Sequence, residues 1–193
     1  KKIIPDSKIY QLSELATPAT SLDSRSVGKN VLLRGKYIMT FRAPQQTDLQ
    51  KNRSDWEVAL MQVDDKSAIV VLRGYWKDRL VEPTVAMSTG VDLKAIVQPR
   101  QFEDVVTSAP GVISRLDSSV LVGLTDLDLY DGYILARSES TREGALERTR
   151  VTEEKLNPKI PGFYWQHLSY VVIWWLMAAV VLYLPFYRRR VTP

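Results

Sequence analysis

Three residues near the C-terminus combine types and spacing that suit chemistry: His167, Tyr170 and Trp174. At about 100° per residue, Tyr170 lies about 60° and Trp174 about 20° to the same side of His167, so all three share one helix stripe. An imidazole there can ligate haem iron, donate a hydrogen bond to a partner, or rest among headgroups as an interfacial histidine. Trp174 and Trp175 lie deep for interfacial anchors, and each indole N–H wants an acceptor that lipid tails lack. Ala178 and Ala179, one turn further on, would let a neighbouring helix approach. Tyr170, Trp174, Trp175 and Ala178 are therefore expected to contact a membrane partner, with His167 at the mouth of the same stripe.

The remaining residues offer little reactivity. The chain has no cysteine, which removes disulfide frameworks, thiolate nucleophiles, zinc ribbons and iron–sulfur clusters together. Its one histidine is His167, so the domain before it cannot build a Ser-His-Asp arrangement or a histidine-rich metal site. Asp126, Asp128 and Asp131-Gly132 invite a calcium-loop reading, but the spacing fails. That pattern wants an oxygen ligand where Tyr130 sits, a glycine at 131 and a glutamate at 137, which is Arg137. Leu127 and Leu129 alternate with these acids, so a half-exposed turn entering a strand is the better account. Glycine-rich phosphate loops are absent. Neither a catalytic set nor a tightly bound metal is expected.

Charge narrows the partners. Lys and Arg total 26 against 22 acids, a net charge of +4 over 193 residues. Three of the positives are Arg188, Arg189 and Arg190, and without them the balance is 23 to 22. A nucleic-acid domain would spread an unbalanced basic field over one face, so none is expected.

The element that must carry the reactive stripe is a membrane span. Leu168 to Tyr187 is an uncharged run, LSYVVIWWLMAAVVLYLPFY, inside a chain whose mean hydropathy is only −0.15. Twenty such residues make about 30 Å of helix, the thickness of a bilayer's hydrocarbon core. Phe163, Tyr164 and Trp165 precede it and Tyr183, Phe186 and Tyr187 close it, forming aromatic belts. Pro185 falls in the last turn, where a lost hydrogen bond matters least. The positive-inside rule places Arg188 to Arg190 in the cytoplasm or matrix and the bulk of the chain on the other side. That side is periplasmic or extracellular for a bacterium and intermembrane for a mitochondrion; in a bacterium the expected membrane is the cell's inner (plasma) membrane. The chain opens with Lys1-Lys2 rather than methionine, which leaves open whether a further segment precedes it.

The extracytoplasmic part reads as mainly β with a little helix. Residues 1–26 are an extended lead-in rich in Ser, Thr, Pro and Ala. Within 27–140, strands are expected at Val31 to Leu33, Trp56 to Val63, Ala68 to Leu72, Val91 to Val97, Val112 to Leu116 and Tyr133 to Ala136. Asp64 to Ser67 has hairpin-loop length. Asp117-Ser118 can cap a short helix running to Leu124. Residues 141–166 are dense in charge and read as a solvated linker or helix, followed by the span over 167–187 and a basic tail, 188–193. The fold class is thus a compact antiparallel β domain outside the membrane plus one C-terminal transmembrane helix. An internal echo, Val31-Leu32-Leu33-Arg34-Gly35-Lys36-Tyr37 against Val70-Val71-Leu72-Arg73-Gly74-Tyr75-Trp76, fits duplication or, more simply, convergence of two strands in one sheet.

The run from His167 to Trp174, entering a span that ends in arginines, resembles the H-L-x-Y-x-x-x-W opening of the second span in the Surfeit locus protein one family. VLLRGKY (31–37) resembles that family's early strand motif, and VVLRGYW (70–76) its V-L-V-N-R-G-W segment. Residues 113–136 resemble the arginine–acid, helix, Tyr-Asp-x-Tyr segment of bacterial members. The motifs keep the family's order from Val27 to Arg190. The resemblance implies a non-enzymatic role in cytochrome c oxidase biogenesis, with His167 as a haem a contact and Tyr170 and Trp174 lining the contact with haem or an oxidase helix. It also implies oxidase subunits as partners. There are departures: Leu72 stands where the family has Asn, Lys77 replaces its proline-region turn, and the family's first span is not in the sequence. A resident accessory subunit of the oxidase or a respiratory supercomplex, a transient haem a chaperone, and an unrelated anchored binding domain remain three distinct expectations.

Overall fold

A computed structural model describes residues 8–48, 51–79, 90–107, 109–152 and, in the C-terminal helix, 162–188. The chain divides into two units, Lys1–Glu154 and Lys155–Pro193. The first is β-rich. It begins with β1 (Ile9–Gln11) and α1 (Leu12–Leu15), then β2 (Asn30–Thr47), β3 (Arg53–Gln62) and β4 (Ser67–Tyr75). After these come β5 (Val91–Gln98), β6 (Asp128–Thr141) and β7 (Gly144–Leu146). Among the described residues the second unit is one helix, α2 (Gly162–Arg188).

Strand pairing closes the sheet. The order β2-β3-β4-β6-β5 returns to β2 through a β2–β5 pairing, giving a five-stranded barrel. Most pairs are antiparallel as expected, but β4–β6 and β1–β2 are parallel. The long strand β2 makes closure possible. Its first part, Asn30 to Gly35, pairs with β5, and from Lys36 onward it pairs with β3. Gly35 sits at this handover, where a β-carbon would lie 2.4 Å from the Gln62 carbonyl oxygen and 2.8 Å from Met61 Cγ. Only glycine tolerates so close a backbone approach. A bulge between Tyr37 and Met39 then shifts the register and turns the strand's alternation to the other face.

The sequence pattern explains two cores rather than one. Val31, Leu33, Tyr37, Ala59, Met61, Ile69, Val71, Leu93, Ile134 and Ala136 fill the barrel. Phe41, Trp56, Val58, Leu60, Val70, Leu72 and Leu135 form a second cluster on the outside of the sheet. Strands buried on both faces read as continuous apolar runs, which is why WEVALM and AIVVL do not alternate. The outer cluster is covered by Ile113, Leu116 and Leu121 from the β5–β6 connection and by Val151. This layout is a closed five-stranded Greek-key barrel of the OB type, whose ligand-binding members use the face of the second and third barrel strands. Here that face, on β3 and β4, is occupied by the chain's own connection.

Several expected elements take a different form. Val112 to Leu116 is not a strand; Val112 makes only isolated bridges to Arg42 and Ala109, while Ile113 and Leu116 point down as cover for the sheet. Asp117 does cap a turn, accepting a hydrogen bond from the Ser119 amide at 3.0 Å, but this is a 3₁₀ turn over Ser118–Leu121 and ends short of Leu124. The lead-in contains β1 and α1, anchored by buried Leu12 and by Ser26 Oγ donating to the Leu15 carbonyl at 2.6 Å. The loop after β3 is the expected hairpin, with Asp64 accepting from the Lys66 and Ser67 amides at 2.8 Å each.

Substituting Gly35→Ala should destabilise the domain by about 1–3 kcal/mol through overpacking. Gly90→Ala, where a β-carbon meets nothing within 4 Å, should stay within about 0.5 kcal/mol of the parent. Urea unfolding followed by tryptophan fluorescence checks both, and equal midpoints for the two variants would contradict the handover.

Candidate functional site

The expected site residues lie on α2. Its window Leu168–Pro185 has a mean hydropathy of 2.0 and none of it is buried within the protein. The helix continues through Pro185 to Arg188 and starts at Gly162, ahead of the expected residue 167. Trp174 and Trp175 are 69% and 74% exposed, and Tyr170 is exposed as well. At about 100° per residue, Tyr170, Trp174 and Ala178 follow one another at steps of about 40°, and the backbone of His167 falls on the same stripe. Trp175 lies about 100° round from Trp174, at the stripe's flank. Ile173, Met177, Val180 and Leu184 form an aliphatic strip about 60–120° to one side of Trp174, while Leu176 and Tyr183 lie about 160–180° from it. The helix therefore carries a stripe of Tyr170, Trp174 and Ala178 suited to protein beside an aliphatic strip suited to lipid. The side chain of His167 lies outside the described ones.

A second constellation lies inside the barrel domain, where no site was expected. Arg73 is 2% exposed at the end of β4. Its Nη2 and Nε donate to the two carboxylate oxygens of Glu139 on β6, at 2.7 and 3.2 Å, and Nη1 donates to Glu57 on β3 at 3.2 Å. The guanidinium also lies 4.0 Å above the centre of the Tyr37 ring. Two further arginines arrive from the segment after β7. Arg150 donates to Glu139 at 2.7 Å and to the Arg73 carbonyl at 2.9 Å, and Arg148 donates to Glu57. This segment was expected to be a solvated linker; instead Arg148, Arg150 and Val151 are part of the domain. The physical reason is the pair of buried carboxylates, which need more positive charge than Arg73 supplies.

Electrostatics follow from this packing. Burial pushes the Glu139 carboxyl upward, but hydrogen bonding and charge from Arg73, then Arg150, outweigh it and hold the group below the ordinary glutamate range. Burial is also the first influence on Arg73 and opposes its charge, while hydrogen bonding and charge from Glu139, then charge from Glu57, more than restore it. The Tyr37 phenol is raised, first by burial and next by the Glu139 charge, so it stays neutral.

The echo between 31–37 and 70–76 divides here. Arg34 is exposed and pairs with Asp92 on the neighbouring strand, whereas Arg73 is the buried centre. The signal in the sequence was a charge inside each apolar strand: Glu57, Arg73 and Glu139. The acids near 128 form no cluster. Asp131 accepts from the Leu22 and Gly132 amides at 2.9 and 2.8 Å, and among the described residues no group of three His, Cys, Asp or Glu converges.

A model of the SURF1 family matches residues 6–179, which takes in the barrel, the buried ion cluster and most of α2. The chain belongs to the SURF1 family. No curated protein and no solved structure matches it. The SURF1 family is known as a cytochrome c oxidase assembly factor, not as an enzyme. The matched stretch includes all five residues expected on the membrane stripe, from His167 to Ala178. A family member with one helix able to span a bilayer fits a membrane-anchored protein.

Arg73→Met, which strips Glu139 and Glu57 of their shared partner, is expected to destabilise the domain by about 3–5 kcal/mol in urea unfolding. Because the Glu139 pKa is lowered on folding, its contribution is full above the unfolded value of about 4.3 and fades as pH falls through the folded one. Stability should therefore drop in that acid range, and Glu139→Gln should flatten the drop; a parent and variant with parallel acid profiles would contradict it.

Proposed function

We propose that this protein is a non-enzymatic, membrane-anchored accessory or assembly factor that associates with cytochrome c oxidase, alone or within a respiratory supercomplex. Its helix docks a membrane helix of the oxidase through Tyr170, Trp174, Trp175 and Ala178. The barrel domain lies on the extracytoplasmic side of the inner (plasma) membrane, with Arg188 to Arg190 cytoplasmic. The observation that carries this reading is α2 itself: it is unburied over its whole apolar window, and Tyr170, Trp174 and Ala178 share one stripe beside a strip of aliphatic residues. An anchor that met only lipid would have no use for that stripe, and indole N–H groups at this depth need acceptors that hydrocarbon does not offer.

A second reading, a transient haem a chaperone, draws on the backbone position of His167 in line with Trp174. The chain holds one histidine, so it offers haem iron a single imidazole, and Tyr170 and Trp174 would flank the macrocycle.

A pull-down of tagged protein in mild detergent tests both. Near-stoichiometric oxidase subunits support the accessory role, and Trp174→Ala should lower their recovery about ten-fold, the consequence of losing about 1–2 kcal/mol of helix packing. Haem a carried by the protein without oxidase, and abolished by His167→Ala, would favour the chaperone. Absence of both would sink the oxidase reading.

A further inference from the structure

The segment after β7 is fastened to the barrel by two arginines of very unequal quality and by Val151, which is buried in the outer cluster. Arg150 uses Nη1 on Glu139 and on the Arg73 carbonyl, and Nη2 on the Leu146 carbonyl at 3.3 Å. Arg148 is more deeply buried, its side chain 1% exposed against 14% for Arg150, yet only its Nη2 has a partner. Its Nε and Nη1 are buried with no hydrogen-bond partner at all. The Glu57 carboxylate that Arg148 meets is held already by Arg73 Nη1, so Arg148 can leave without orphaning a buried acid. The five charged groups sum to one net positive charge, three guanidiniums against two carboxylates, and departure of Arg148 would bring the buried cluster to neutrality. A buried donor left unpaired costs free energy that water would return at once on exposure. The backbone here also sits close: a β-carbon on Gly74 would lie 2.6 Å from the Thr149 carbonyl oxygen.

We propose that residues 147–151 are a releasable strap, docked on the barrel through Arg150 and the buried Val151 and opened first at Arg148. Its opening does not require the barrel to unfold, because Arg73, Glu57 and Glu139 remain paired behind it. The strap precedes α2 in the chain, so full release adds about 17 Å of contour to the connection between barrel and helix, at about 3.4 Å per residue. The device is a membrane tether with a short, docked state and a longer, released one. It stands independently of the oxidase reading.

Arginine labelling with phenylglyoxal, on the full chain in detergent micelles under native conditions, separates strap from static burial. Arg148 and Arg73 are equally hidden, at 1% and 2% side-chain exposure. The strap predicts that Arg148 is labelled at least about ten-fold faster than Arg73, through local opening of low free energy. Labelling of the two at one common rate, that of global unfolding, would overturn it. Gly74→Ala, which crowds Thr149, should raise the Arg148 rate several-fold further while circular dichroism stays native. An unchanged rate in a variant with native dichroism would equally count against the proposal.

Discussion

Arg73 carries a permanent positive charge to a position where almost none of its side chain meets water. A charge so placed is tolerable only if it is paired and hydrogen-bonded on every side. Glu139 answers it from β6 and Glu57 from β3, so one guanidinium ties the β3–β4 hairpin to β6, 66 residues further along the chain. The two carboxylates in turn call for more positive charge than one arginine provides. Arg148 and Arg150 supply it, which draws the segment after β7 against the barrel. The boundary of the domain is thus set by electrostatics, at the point where the last buried charge finds its partner.

The same strands must also bury both faces. β3, β4 and β6 present one set of side chains to the barrel interior and the other to an outer cluster. This demands a cover, and the β5–β6 connection provides it with Ile113, Leu116 and Leu121. Cover and ion cluster are linked through Val151, which lies one residue beyond Arg150 and joins the outer cluster. A long irregular connection is therefore as necessary to the core as any strand. The connection covers the β3 and β4 face, whereas the apolar window of α2 is unburied.

On that helix the physics is reversed. Hydrophobic residues here need no burial within the chain, since lipid accepts them, and what demands a partner is the polar tip of each aromatic. Trp174 and Trp175 are costly if they meet hydrocarbon alone and useful if they meet an acceptor on another helix. Membership of the SURF1 family gives that partner its general character, a component of cytochrome c oxidase assembly.

The sequence by itself determined the C-terminal apolar helix and that it is long enough to span a membrane, because twenty consecutive uncharged residues make about 30 Å of helix. It also determined most strands and the helix stripe, since both follow from local periodicity. The Asp64 hairpin and the Asp117 cap were legible for the same reason: turn and cap chemistry is local. Closure of the barrel was not, because the handover of β2 from β5 to β3 at Gly35 depends on two strands meeting from distant parts of the chain. Nor was the true role of 141–152. TREGALERTR looks solvated by composition, and only the tertiary structure reveals Glu57 and Glu139 waiting as buried acids. Arg34 and Arg73 sit in nearly identical local motifs, yet one pairs at the surface and the other centres the core. Local sequence specifies the kink of the strand at Arg-Gly; which face of the sheet is closed off from water decides what the arginine becomes.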